Sequence, residues 1–326
     1  MNLTVTCIGM LATHRVLRFE LENQHQMRLA VLNYGGLMEE MSVLEHKGNL
    51  LLTPPELPQL IKQKGYANHL IGRVAGVIEN SCFMTADRWW NLPTNYYQHT
   101  LNGGPNGFDH QFFDVEPQPE LGMLTLHYWA TERTDGFPGN VVVSISYQLT
   151  ADDCVHVTFK AQQLERDGIF DPTLKTVFAV ASAATADLLR PQVLVNGHQR
   201  LVIDEVGIAK GLVVDEVTKG PQLGHQINIP VVGHSATYIV PADLTQLAAQ
   251  ITDPVSQHQI QIFSNRPGLY VASSRQTGTE QQGINGLTIM AQSLPNSVNI
   301  PEFGSISIAV NATKRYDIIY EYIKIN

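Results

Sequence analysis

Strict alternation of apolar and polar residues limits the folds open to this chain. In CVHVTFKA, Val155, Val157, Phe159 and Ala161 share one face, and His156, Thr158 and Lys160 share the other. In NVVVSISYQLT the apolar set is Val141, Val143, Ile145, Tyr147 and Leu149, against Ser144, Ser146 and Gln148. A period of two is that of a half-buried strand, because successive side chains of an extended chain point to opposite faces. Asp152 and Asp153, between the two runs, read as the turn of a hairpin and not as a calcium site. Further strands are expected at 124–130, 259–264, 305–310 and 316–325. The last of these, in RYDIIYEYIKI, is apolar on both parities near its middle, which places it inside a sheet or between two layers. Helical pattern is scarce. Residues 57–64 could form a short helix after Pro54 and Pro55, while LTQLAAQI, despite helix-like spacing, runs into ITDPVSQHQIQIF and reads as part of a hairpin. The expected fold is all-β: one domain over residues 1–326, a large antiparallel β-sandwich with sheets long enough to curve around a groove.

Charge narrows the partners. The formal net charge is −9 and no run of Lys or Arg occurs, which argues against nucleic acid and anionic membrane surfaces. No stretch of about 20 apolar residues is present, and MNLTVTCIGML lacks the basic residues that open an export signal. Cys7, Cys82 and Cys154 are odd in number, scattered and never in a CxxC pair. They suit a reduced, cytoplasmic setting without a disulfide framework or a cysteine zinc site. Metal-ligand spacing is absent elsewhere, and nothing calls for a cofactor. Neutral small molecules and proteins remain as partners.

The stretch LNGGPNGFDHQFFD, from Leu101 to Asp114, is the most distinctive local feature. Gly103, Gly104 and Gly107 around Pro105 force a compact loop, since glycine alone takes positive φ freely. A phosphate loop does not follow, because no Gly-Lys-Ser/Thr completes the pattern and FDHQFFDV is not an amphipathic helix. Composition alone leaves a tight structural turn and a ligand loop equally open.

Six segments, in order along nearly the whole chain, resemble the galactose mutarotase or aldose 1-epimerase family. NYGG at 33–36 resembles its early NYG turn, and IGRVAGVIENSCF at 71–83 its GR-x-A-N-R-I segment. LNGGPNGFDHQFFDV resembles LHGGPxGFDxxxWxV, and DGFPGNVVVSISYQLT resembles DGxxGFPGNLxVxVxYxLT without the spacing insert. RPGLYVASS resembles PGLQxYTGN, and AQSLPNSVN at 291–299 resembles ETQHFPDxxN. The resemblance implies a β-supersandwich with a hexose or related sugar in a concave groove.

That family interconverts sugar anomers by taking the proton from the C1 hydroxyl while protonating the ring oxygen. One base and one acid must flank the same C–O bond. By resemblance the base is the Glu of ETQHFPD, the acid is the His of N-x-x-N-H-x-Y-F-N-L assisted by the His of LHGG, and an Arg and an Asp hold sugar hydroxyls. Here Arg73 is retained, Asn102 replaces the LHGG histidine, Met290 falls on the base and Gln292 on the Gln that follows it. A gap-free alignment from Pro172 puts Phe178 in the acid's place, and Ser235 in that of the sugar-binding Asp, while Gly76 and Val77 replace the Asn-Arg pair. Neither Met nor Phe can carry the proton that the chemistry moves.

Arg73, Asn102, Ser235 and Gln292 are therefore the expected substrate-binding residues, and each has a structural alternative as a bracing or turn residue. His69 and His99 are the candidates for a relocated acid or base, with ordinary packed histidines as the alternative. His110 and His234 carry less weight, Asp109 and Asp135 read as turn residues, and Trp89–Trp90 is the best stacking platform for a sugar face, against core packing. Three readings stand: a sugar-binding relative with weak or no mutarotase activity, an active aldose 1-epimerase with moved acid and base, and a protein-interaction scaffold without a sugar site.

Overall fold

The alternating runs form the strands that their pattern demands. In Val141–Leu149 and Cys154–Gln163, every second side chain is buried, and the two strands pair antiparallel from Val141 opposite Gln163 to Leu149 opposite Val155. Asp153 takes a left-handed φ of 62° in the turn between them. In this computed structural model, residues 1–44, 48–53, 66–85, 88–179, 192–197, 199–214, 225–228, 235–253, 257–274 and 286–325 are described.

Three antiparallel sheets make up most of the described fold. The largest has nine strands, in the order Asp114–Gln118, Met123–Ala130, Val141–Leu149, Cys154–Gln163, Thr313–Lys324, His258–Ser264, Ala249–Asp253, Gln192–Val195 and His225–Asn228. The C-terminal strand lies in its middle, as an apolar run on both parities requires. Ala249–Asp253 and His258–Ser264 pair as the hairpin that the turn residues imply. A six-stranded sheet runs Thr176–Ala179, Gly286–Gln292, Gly268–Ser274, Ser235–Ile239, Gln199–Ile203 and Ala209–Val214. A four-stranded sheet of Asn2–Leu11, His14–Glu22, Arg28–Leu32 and Met38–Ser42 completes the set.

One apolar cluster joins them, taking Ile145 and Phe159 from the large sheet, Leu269 and Ile289 from the second, and Leu21 and Leu29 from the third. Burying side chains of this size contributes about 1.5–3 kcal/mol each, so this interior dominates the stabilisation. The strand expected at 305–310 shrinks to Ser307–Ile308, paired with Gly168–Ile169. Its continuation is diverted where the Val310 N–H donates to Asp167 Oδ1 and Asn311 turns with φ 62°. The helix expected at 57–64 lies outside the described residues.

The glycine loop is pinned to the segment before it in sequence order. Asn102, with φ 53°, donates its N–H to the Gly76 carbonyl, and its Oδ1 accepts the Gly76 N–H at 3.0 Å. Gly103 has φ +87°, and any Cβ there would overlap the Gly72 carbonyl. Only glycine allows this approach.

Candidate functional site

Three side chains line up across the six-stranded sheet, and a fourth, Lys175, stands beside its edge. Met290 pairs with Tyr270, and Tyr270 pairs with Thr237. On the other side, Thr176 pairs with Ile289, and Lys175 precedes it just outside this ladder. Directly opposed residues of an antiparallel pair project to the same face. All four line one cavity of about 380 Å³. Gln292 and Ser235, each two residues along its strand, also line it, and Tyr66, Gly76, Val77, Tyr96 and Asn102 enter from loops and short strands. A volume of this order is that of a small-molecule site, which falls between about 300 and 1,000 Å³.

The position of Lys175 is fixed from several directions. Its N–H donates to the His69 carbonyl and its carbonyl accepts the Asn68 N–H at 2.7 Å. Asn68 Oδ1 also accepts the Val177 N–H, and Thr173 Oγ1 donates to the Ala291 carbonyl at 2.6 Å. Upstream, buried Arg266 holds the Asp171–Pro172 corner, pairing with the Asp171 carboxylate and donating to the Pro172 carbonyl. Burial pushes the Lys175 ammonium down to about 8. Because the folded value lies below the unfolded 10.5, this group destabilises the fold below about pH 8, and the penalty is relieved as pH rises toward 10.5. Lys175→Met is expected to remove about 3 kcal/mol of that rise in urea denaturation followed between pH 7 and 10, at roughly 1.4 kcal/mol per unit.

Met290 forms the apolar part of the floor, 5 % exposed and packed with Ile71, Ala75, Tyr66 and Tyr270. Gln292 is 1 % exposed, and its Oε1 meets no hydrogen-bond donor among the described residues. An orphaned buried acceptor costs about 1–3 kcal/mol, and a hydroxyl entering the cavity would offset it. Asn102 commits its Oδ1 to Gly76, while its Nδ2 bonds to none of the described residues and is free to donate. Ser235 Oγ donates to Tyr270 Oη at 2.9 Å at the exposed edge. Among the described lining residues there is no carboxylate and no imidazole. Such a lining can bind hydroxyls and stack against the apolar face of a ring; it lacks the usual side chain for taking a proton from a hydroxyl.

The structure brings Met290, Asn102, Ser235 and Gln292 together and leaves the other expected residues elsewhere. Arg73, 1 % exposed, bonds through Nε and Nη2 to both Asp135 oxygens at 2.9 and 3.0 Å and through Nη1 to the Pro138 and Gly139 carbonyls. It braces a loop and does not line the cavity; Gly76 and Val77, three and four residues on, do. Asp135 is thus more than a turn residue. Phe178, expected in the acid's place, belongs to the main core, its ring against Tyr320 at 6.0 Å. His69 is buried, with Nδ1 at 2.9 Å from the Ala67 carbonyl, and burial lowers its pKa. His99 is buried with Nδ1 accepting the Asn80 N–H at 2.9 Å. Neither imidazole lines the cavity, so neither stands as the relocated acid or base there. Trp89 and Trp90 also lie outside it, Trp90 being covered by the Arg88 guanidinium at 3.6 Å. His234 lies outside the described residues.

Lys175, Tyr66, Tyr96, Tyr270 and Thr237 were not anticipated as site residues. Of these, only Lys175 left a local signal, a single charge within the otherwise uncharged run TLKTVFAV.

The aldose 1-epimerase family profile matches residues 18–322. A maltose epimerase of Levilactobacillus brevis is 27 % identical over 341 residues, covering 99 % of this chain and 100 % of the relative. An aldose 1-epimerase of Streptococcus thermophilus is 26 % identical, covering 99 % of each. Among solved structures, a galactose 1-epimerase from Lactobacillus acidophilus superposes with a TM-score of 0.84 at 18 % identity, over 100 % of this chain and 99 % of the other. An aldose epimerase homologue from C. elegans also gives 0.84, at 16 % identity, over 95 % of this chain and 100 % of the other.

Proposed function

Because this chain belongs to the aldose 1-epimerase family, we propose that its groove binds a hexose or related sugar and exchanges anomers weakly or not at all. The observation that carries this is Met290 in the cavity floor, the residue aligned with the family's general base, with no carboxylate among the described lining residues. A thioether takes up no proton at neutral pH. Removing a general base costs typically about 10²–10⁴-fold, and removing the acid a further factor of that kind. Sugar binding itself is supported by the buried acceptor of Gln292, the free Asn102 amide, the tyrosine walls and the end-to-end match to relatives named maltose epimerase and aldose 1-epimerase.

A second reading, a working epimerase, is favoured by one observation. If the acid motif is shifted by three residues from the gap-free alignment, Phe178 falls on the Phe of H-x-Y-F and Lys175 takes the place of the His. The cavity-facing side chain would then be an ammonium able to donate a proton, and the missing element would be the base alone.

Anomeric exchange of glucose, galactose and maltose, followed by polarimetry or NMR, decides between the readings. A rate equal to buffer is expected, together with a sugar-dependent rise in melting temperature. Gln292→Leu should weaken that sugar binding about tenfold, the loss of one buried hydrogen bond of about 1.5 kcal/mol. Exchange clearly faster than buffer would favour the working epimerase. No thermal shift with any sugar would favour an interaction scaffold.

A further inference from the structure

One end of the cavity is built from groups that a sugar hydroxyl can meet, and the other from groups that it cannot. Gln292 lies on the second strand of the six-stranded sheet, and its Oε1 has no donor among the described residues. Leu201 and Ile203 lie three strands further on, in Gln199–Ile203, and both line the cavity. At about 4.8 Å per strand the separation is about 14 Å, longer than one sugar ring. Val206 and Gly207 continue the lining from the turn that follows. The side chains of Leu201, Ile203 and Val206 are hydrocarbon, with no donor or acceptor. Ile203 is 46 % exposed, so its apolar surface is open for a ligand to cover.

That turn is held in place. Asp204 Oδ1 accepts the Val206 and Ile208 N–H groups at 3.1 and 2.9 Å. Lys210 Nζ reaches Asp204 Oδ2 at 3.3 Å and Glu79 Oε1 at 3.2 Å, which ties the hairpin to the segment that supplies Gly76 and Val77 to the lining. A second sugar ring at this end would surrender the water on its hydroxyls and find no side chain of Leu201, Ile203 or Val206 to replace it. A hydrocarbon surrenders nothing there and leaves water favourably.

We infer that the groove takes a glycoside, a hexose whose C1 oxygen carries an alkyl or aryl group, with ring hydroxyls against Gln292 and Asn102 and the apolar group against Leu201, Ile203 and Val206. This rests on the reading that the groove binds a sugar. Met290 agrees with it. Residue 290 is aligned with the base that takes the C1 hydroxyl proton, and a thioether offers that proton no acceptor of comparable strength. An oxygen already bonded to carbon brings no such proton, and the floor at Met290 then serves as an apolar contact.

The test is calorimetric titration of the full chain with the methyl, hexyl and phenyl glycosides of glucose and galactose, in both anomers and below micelle-forming concentrations. Free glucose and galactose, maltose and hexanol complete the panel. At least one hexyl or phenyl glycoside should bind about tenfold or more tightly than the methyl glycoside of the same sugar and anomer. In the double variant Ile203→Ser, Val206→Ser that ratio should fall to about two or less, because the apolar end has been made polar. Val202→Ser is the control, since Val202 points to the other face of the strand and does not line the cavity, and it should keep the ratio. A ratio of about one in the native chain, its survival in the double variant, an equal fall in Val202→Ser, or tighter binding of maltose than of hexyl glucoside would each overturn the inference while leaving a sugar site in place. Hexanol binding as tightly as the hexyl glycosides, or no binding of any sugar or glycoside, would overturn both the inference and the sugar site it rests on.

Discussion

Met290→Glu is expected to raise the rate of galactose anomer exchange about 10²-fold above that of the native chain. The substitution places a carboxylate in the floor beside Tyr270, the partner of residue 290 across the sheet, in the cavity that Lys175 also lines. The ammonium would hold the new carboxyl ionised at neutral pH, and the carboxylate would raise the ammonium from about 8, so that one side chain accepts a proton and the other donates it. A positioned general base contributes about 10²–10⁴-fold, and the low end applies because nothing else in the pocket has been tuned around it. Burying a Glu where Met290 is 5 % exposed costs stability, offset in part by the Lys175 charge. Met290→Gln serves as the control, matching Glu in shape without its charge, and should stay at the rate of the native chain. A folded Met290→Glu protein no faster than Met290→Gln would show that residue 290 does not stand at the reacting end of the groove.

The second large effect is on stability. Arg73→Met should cost about 3–5 kcal/mol, because it removes one partner of a buried ion pair and leaves the Asp135 carboxyl without its bidentate donor. It also strips the Pro138 and Gly139 carbonyls of their guanidinium donor, in a site where Arg73 is wholly enclosed. Burial already pushes the Asp135 carboxyl above the usual carboxylate range, against the pull of Arg73 and the Phe137 N–H. Without Arg73 it moves further up. A carboxyl raised in the folded state is bound to a proton more often there than when unfolded, so folding is favoured as pH falls through that range. The deficit of Arg73→Met should therefore be largest near neutral pH and shrink on acidification, as read by urea denaturation at pH 7 and pH 5. Arg73→Met combined with Asp135→Leu should recover most of the loss. A mutant that keeps its stability but loses sugar binding would restore Arg73 to the ligand.

The two arginine readings show where local sequence pattern stops being informative. The alternation in 141–149 and 154–163 could be read directly, since one face of those strands meets the core and the other does not. The strand Thr176–Ala179 has no such contrast: its first three residues are buried, so no polar face fixes which residue points where. That is why Phe178 could be set in the groove on paper when its ring belongs to the interior. Arg73 sits in a motif-like segment, but its partner Asp135 is 62 residues away, and no local spacing records such a pairing. Tyr66, Tyr96 and Tyr270 likewise come from three separated segments and meet only in the folded chain. Met290, Asn102 and Gln292, which line the cavity, lie in segments whose neighbours match a motif; Ser235, which also lines it, lies in the segment that matches least.

The glycine at position 103, set against the carbonyl of residue 72, has a consequence for anyone recombining this chain with its relatives. Segments 72–76 and 101–107 share one steric lock and a reciprocal pair of hydrogen bonds at Asn102, so an exchange of one alone keeps them only if it leaves glycine at 103 and the Asn102–Gly76 bonds intact. Chimaeras whose crossover puts a side chain at 103 or removes the Asn102 amide should lose stability, whereas transplants that carry both stretches together should be tolerated.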